Sequence, residues 1–170
     1  MQAEVTSVYE RLQALLPPPP PIKPSGWFAR AHSIQGPWGR GLRAFSQVIF
    51  INHPLSGALL LLAFWLTTPW MALLALIGMT AANAVSRLMD LSPGLRDQGI
   101  HGFNGALVGC AGAALTNSGS IADAGMITLL VALGGGLTTL ILELWWRLFF
   151  RRDDPPALTL PFCLITWCLL

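Results

Sequence analysis

Between Ala44 and Leu88 the chain carries a single Asp, Glu, Lys or Arg side chain, Arg87, and between Ile121 and Leu142 a single one, Asp123. Uncharged runs of this length read as membrane helices, because about 20 apolar residues are needed to cross a hydrocarbon core ~30 Å thick. Composition agrees. The 170 residues are 54% hydrophobic and 11% charged, with a mean hydropathy of +0.59, too apolar for a soluble domain of this size. An all-α integral membrane fold is expected. A net charge of only +2, with no Lys/Arg stripe and interleaved aromatics, excludes a nucleic-acid partner.

Five apolar segments can be drawn: Ala44 to Leu66, Trp70 to Leu88, Gly99 to Thr116, Ile121 to Trp146 and Ala157 to Leu170. Pro54, within "NHPLSG", removes a backbone donor and breaks or kinks the first. Such a break is tolerated in a membrane only against protein or a water-filled cavity. If every segment crosses, all ten Lys/Arg fall on one side. The opposite loops, "TTP" and "NSGS", contain none. The positive-inside rule then gives about five crossings and a cytoplasmic N-terminus. An odd number means that a second copy joined at the C-terminus would be inverted, the architecture of many transport proteins. The last segment, uncharged from Ala157 onward, covers only ~21 Å as a helix, so the expectation is one unit of a two-unit design with its final helix incomplete.

Residues 1–40 read as a cytoplasmic tail, and residues 41–170 as the membrane unit. In the tail, Val5, Val8, Tyr9, Leu12, Leu15 and Leu16 recur at helical spacing, a short amphipathic helix. "PPPPPIKP" from Pro17 to Pro24 ends it as a stiff extended spacer. The start lacks the basic and apolar regions of a secretory signal. The three cysteines, Cys110, Cys163 and Cys168, all lie in apolar stretches and read as small packing residues, not a disulfide set.

Three ordered stretches carry a resemblance: "QVIFINHPLSG" (Gln47 to Gly57), "GIHGFNGALVG" (Gly99 to Gly109) and "PPALTLPF" (Pro155 to Phe162). Together they resemble the urea transporter family. The third is close to its L-P-x-x-T-x-P-F signature, with Pro156, Thr159, Pro161 and Phe162 in place and Pro155 where the family has Leu. The likeness covers about residues 40–170 and corresponds to the first of two homologous, inverted halves. It implies five spans and a short re-entrant helix per half, one pore per subunit, and a trimer in the inner membrane. The glycine-rich start of Gly99 to Gly109 is the first candidate for the re-entrant helix. The resemblance further implies that urea passes a slot between phenylalanine rings. Gln47 and Val48 match a pore-lining pair, Phe50 the phenylalanine that follows, Phe103 and Leu107 slot positions, and Thr159 the constriction threonine.

That chemistry is sensible on its own terms. Urea is neutral, planar and strongly hydrated, so a pore must replace water's hydrogen bonds, each unmet polar group costing several kcal/mol. Gln47 offers a carbonyl and an amide, Thr159 an accepting oxygen. Flat aromatic faces admit a flat solute and exclude a hydrated ion. Simpler explanations stand beside these. Phenylalanines also pack or meet lipid, Thr159 can bond its own helix, and Asn104 is expected to satisfy local backbone groups. Glu143, inside the fourth segment, is a functional candidate, with an ion pair to Arg147 one turn later as the plainer reading. Asp97 and His101 are spaced to pair on a helix turn, while Arg96 with Asp97, and Arg152 with Asp153, read as solvated charges. "GGG" at Gly134 to Gly136 reads as close helix packing. His32, His53 and His101 have no metal-ligand spacing, no cofactor is implied, and no constellation suits an enzyme. The alternatives to a urea channel are a pore for another small neutral solute, an amide or ammonia, or a non-transporting fragment or subunit that needs a second half.

Overall fold

A computed structural model describes residues 36–115, 121–149 and 158–169, and these are helical throughout apart from short connections. The helices are α1 (Gly36–Gln47), α2 (Pro54–Thr67), α3 (Pro69–Leu88), α4 (Pro93–Asp97), α5 (Ile100–Leu115), α6 (Ile121–Phe149) and α7 (Leu160–Leu169). The amphipathic helix and proline spacer expected before residue 36, the "NSGS" loop and the Arg152 with Asp153 pair lie outside the described residues.

The expected break at Pro54 is complete. α1 ends at Gln47, and Pro54 occupies the first helical turn of α2, where its missing N–H costs nothing. His53 caps α2, its Nδ1 accepting from the Leu55 N–H at 3.3 Å. α1 and α2 then pack side by side, closely enough that a Cβ on Gly57 would run into the Leu42 backbone. The "TTP" turn is real and minimal: only Thr68 separates α2 from α3, and Pro69 opens the new helix.

Two helical stretches are long and apolar enough to cross a membrane, Pro69–Leu88 and Asp123–Leu148. α2 (14 residues) and α5 (16 residues) are apolar but shorter, and α7 has 10 residues. At ~1.5 Å per residue, α1, with 12 residues, reaches only ~18 Å. Of the five expected crossings, two therefore have spanning length among the described residues. Proline is one reason, since it divides the run from Ala44 to Leu66 into two helices.

α3 and α5 form the densest contact, with α6 laid across both. Their axes approach at glycine. A Cβ on Gly105 would strike the Gly78 carbonyl, one on Gly109 the Leu74 backbone, and one on Gly135 the Gly78 carbonyl at 2.6 Å. Small residues let membrane helices pack backbone to backbone, and Gly135 serves in the role expected of the "GGG" run. The buried Thr139 hydroxyl locks α6 to α3 by donating to the Ala82 carbonyl at 3.1 Å.

Candidate functional site

The three stretches that carried the resemblance lie on three elements, with α5 in the middle and packed against both α1 and α7. On the α1 side the approach is close. Gly99 has φ +77°, and a side chain there would collide with the Ala44 backbone, while Gly102 faces the Ala44 methyl and the Asn83 amide. Only glycine meets both demands at position 99. The glycine-rich stretch is one unbroken 16-residue helix, and its glycines serve this packing.

Polar contacts fix the same junction. Arg40 Nε pairs with Asp97 Oδ1 at 2.6 Å, Arg43 Nη1 donates to the Asp97 carbonyl at 3.4 Å, and Gln47 Nε2 donates to the Gln98 carbonyl at 3.1 Å. Asp97 is therefore the partner of Arg40, and its expected pairing with His101 does not occur. His101 is 1% exposed and meets Trp146 edge to face, ring centroids 6.4 Å apart. The Gln98 contact also orients Gln47. A carbonyl accepts only from an N–H, so the amide nitrogen must face Gln98. Oε1 is left without a donor among the described residues.

Past Gln47 the chain turns sharply. The Phe50 N–H donates to the Gln47 carbonyl at 2.9 Å and the Ile51 N–H to the Ser46 carbonyl at 3.0 Å, the paired bonds of a Schellman helix end. That motif places one residue in the left-handed region, normally glycine. In this chain it is Phe50, at φ +57° and 68% exposed. The end of α3 repeats the pattern with Asp90 at φ +48°, a residue type that tolerates it better. For phenylalanine the left-handed backbone costs about 1–2 kcal/mol.

The third stretch is tied to α5 by Asn104, which is 1% exposed. Its Nδ2 donates to the Leu158 carbonyl at 3.0 Å, and its Oδ1 accepts from the Phe162 N–H at 3.3 Å. From its sequence context Asn104 is expected to satisfy local backbone groups. It does serve backbone, but across 54 and 58 positions, at the start of α7. An early α7 N–H has no partner within its own helix, and Asn104 supplies one. Leu158 is itself left-handed, at φ +41°. Thr159, half-buried, closes the first turn by accepting the Cys163 N–H at its carbonyl, 3.0 Å. A buried amide in an apolar helix requires a partner, a signal that could have marked Asn104; the partner's distance along the chain could not be read.

Of the six expected residues, Gln47 is held to Gln98 just before α5, and Thr159 follows Leu158, whose carbonyl Asn104 of α5 holds. Phe103 is 5% exposed, and Leu107 and Val48 are half-buried. Phe50 lies in the turn after α1 and is 68% exposed, whereas Phe103 is buried. A polar cavity of about 410 Å³ opens beside Gln47's partner, lined by Arg43, Asn52, Asp97 and Gln98 among others. A larger one, about 650 Å³, touches none of the six. Glu143 and Arg147 form the plainer ion pair at 2.8 Å. Among the described residues no His, Cys, Asp and Glu group could hold a metal.

Residues 40–170 match the Urea transporter family. Urea transporter 1 of Mus musculus is 28% identical over 126 residues, 71% of this chain and 31% of that protein. That of Rattus norvegicus is 28% identical over 121 residues, and that of Ovis aries 32% identical over 79 residues, 46% of this chain and 21% of the relative. The chain spans under a third of the length of these curated relatives. With three ordered motifs and a family match over most of its length, this chain belongs to the urea transporter family.

Proposed function

We propose that this chain forms one wall of a passive, channel-like pathway for urea in a cell membrane. The observation that carries the reading is the orientation of Gln47. Its amide is held by the Gln98 carbonyl, which leaves Oε1 as an acceptor at the end of a helix too short to cross. An acceptor fixed before the solute arrives replaces water's hydrogen bonds without a further ordering cost. Thr159, at the start of α7, adds a second oxygen. Phe50 is the exposed aromatic face of the path, and the buried Phe103 and half-buried Val48 and Leu107 are assigned to its lining by the family motif. α1, turned back by the Phe50 cap into α2, is the re-entrant helix in this reading, in place of the glycine-rich stretch.

The exposure of Phe50, 68%, favours completion of this face by a second unit. From the family likeness that unit is homologous and inverted and complete units assemble as trimers in the inner membrane, and from the arginine distribution the N-terminus is cytoplasmic. No catalytic step is involved, since downhill flux needs only a matched path. Stopped-flow light scattering of proteoliposomes is the test. Urea equilibration should be faster than in protein-free vesicles, alone or with a second-half chain co-reconstituted, and Gln47→Leu should remove most of the acceleration. Rapid entry of acetamide or methylammonium, with urea at the protein-free rate under both conditions, would assign the pathway to another solute.

A further inference from the structure

The 650 Å³ groove lies between α1, α2, α3 and α4, away from the six residues above. Its wall is apolar, formed by Phe45, Leu61, Leu76 and Met79, and its rim is basic, formed by Arg40, Arg87 and Arg96. Arg40 is neutralised by Asp97 at 2.6 Å. The other two are not matched so well. Arg96 reaches Asp90 only at 4.0 Å, through Nη1, and its Nε is buried without a hydrogen-bond partner among the described residues. The Arg87 residue is exposed, and its guanidinium has no ion pair or hydrogen bond among the described residues. Trp38, 84% exposed, stands at the same rim, a residue type that favours the membrane–water boundary.

A hydrocarbon slot ending in two under-satisfied guanidiniums matches an amphiphile with an anionic head. Free phosphate would satisfy the arginines and leave the slot empty, and a neutral lipid would fill the slot and leave the charges unmet. Guanidinium is the side chain best suited to phosphate oxygens, and basic pockets between membrane helices on the positive side bind anionic headgroups. We propose that this groove holds one anionic phospholipid, its phosphate on Arg87 and Arg96 and an acyl chain along Phe45, Leu61 and Leu76. The proposal rests on the membrane placement of the family and is independent of which solute the chain moves.

The test is lipid retention by the full chain, purified in mild detergent, exposed to equimolar phosphatidylglycerol and phosphatidylcholine, and read by native mass spectrometry. One phosphatidylglycerol should stay bound in preference to phosphatidylcholine. The double variant Arg87→Gln with Arg96→Gln should weaken retention about thirtyfold, while Arg147→Gln, which removes a charge outside the groove's lining, should leave it unchanged. Leu61→Trp, which narrows the slot at constant charge, should also weaken it. Equal retention of the two lipids, an equal loss in Arg147→Gln, or full retention in Leu61→Trp would overturn the proposal. So would displacement of the lipid by millimolar inorganic phosphate, or a Leu61→Cys cross-link to a protein segment as the groove's occupant. Retention is counted whether or not urea moves, so bound lipid with no urea flux would sink the transport reading alone.

Discussion

The junction of α3, α5 and α6 and the two turns at Phe50 and Leu158 solve opposite problems. At the junction, Gly78, Gly105 and Gly135 bring three backbones together, each residue type suited to its place. At the turns, the left-handed position is occupied by phenylalanine and by leucine, residue types that resist it. Strained backbone persists only where surrounding structure over-determines it, and it gathers at functional sites. The contrast separates a scaffold, built from locally consistent choices, from two turns held against local preference beside Gln47 and Thr159. The Schellman bonds hold the first and Asn104 the second.

The largest effect should come from the scaffold. Gly105→Leu forces a side chain into the Gly78 carbonyl, and overpacking of this kind costs about 3 kcal/mol. Thermal unfolding in detergent should show a drop of many degrees or no folded protein; a variant as stable as the parent would dissolve the distinction. Asn104→Ala should cost about 2 kcal/mol, one for each hydrogen bond to the start of α7, and should slow urea flux more than the stability loss accounts for. Flux unchanged in proteoliposomes of matched protein content would remove Thr159 from the pathway. The smallest change is the most discriminating. Phe50→Gly should raise stability by about 1 kcal/mol, because glycine accepts the left-handed backbone freely and the exposed ring contributes little burial, while lowering urea selectivity over acetamide. A variant that is both more stable and equally selective would mean that the strain at Phe50 serves nothing.

Much of the scaffold was legible along the chain. Pro54 marks a break and Pro69 belongs to a turn because their rings forbid a continuing hydrogen-bond ladder, and in the structure each opens the helix that follows. The Glu143 and Arg147 pair follows from helical spacing alone. The re-entrant candidate was another matter. A run of glycines reads equally as a flexible break or as a packing face, and only the neighbours of Gly99, Gly102 and Gly105 decide between them. The same one-turn spacing allows Asp97 to pair with His101, yet Arg40, 57 positions earlier, holds it.

By itself, then, the order of residues determined what hydropathy and local sterics control: helices throughout the described residues, their interruption at proline, and membership of a family recognised from three motifs. Which way the Gln47 amide turns, what Asn104 reaches, and which residues take the left-handed positions were decided by the tertiary structure. Each depends on a partner whose distance along the chain carries no local signature, and a hydrogen bond across 54 residues forms only once the helices between its ends have packed.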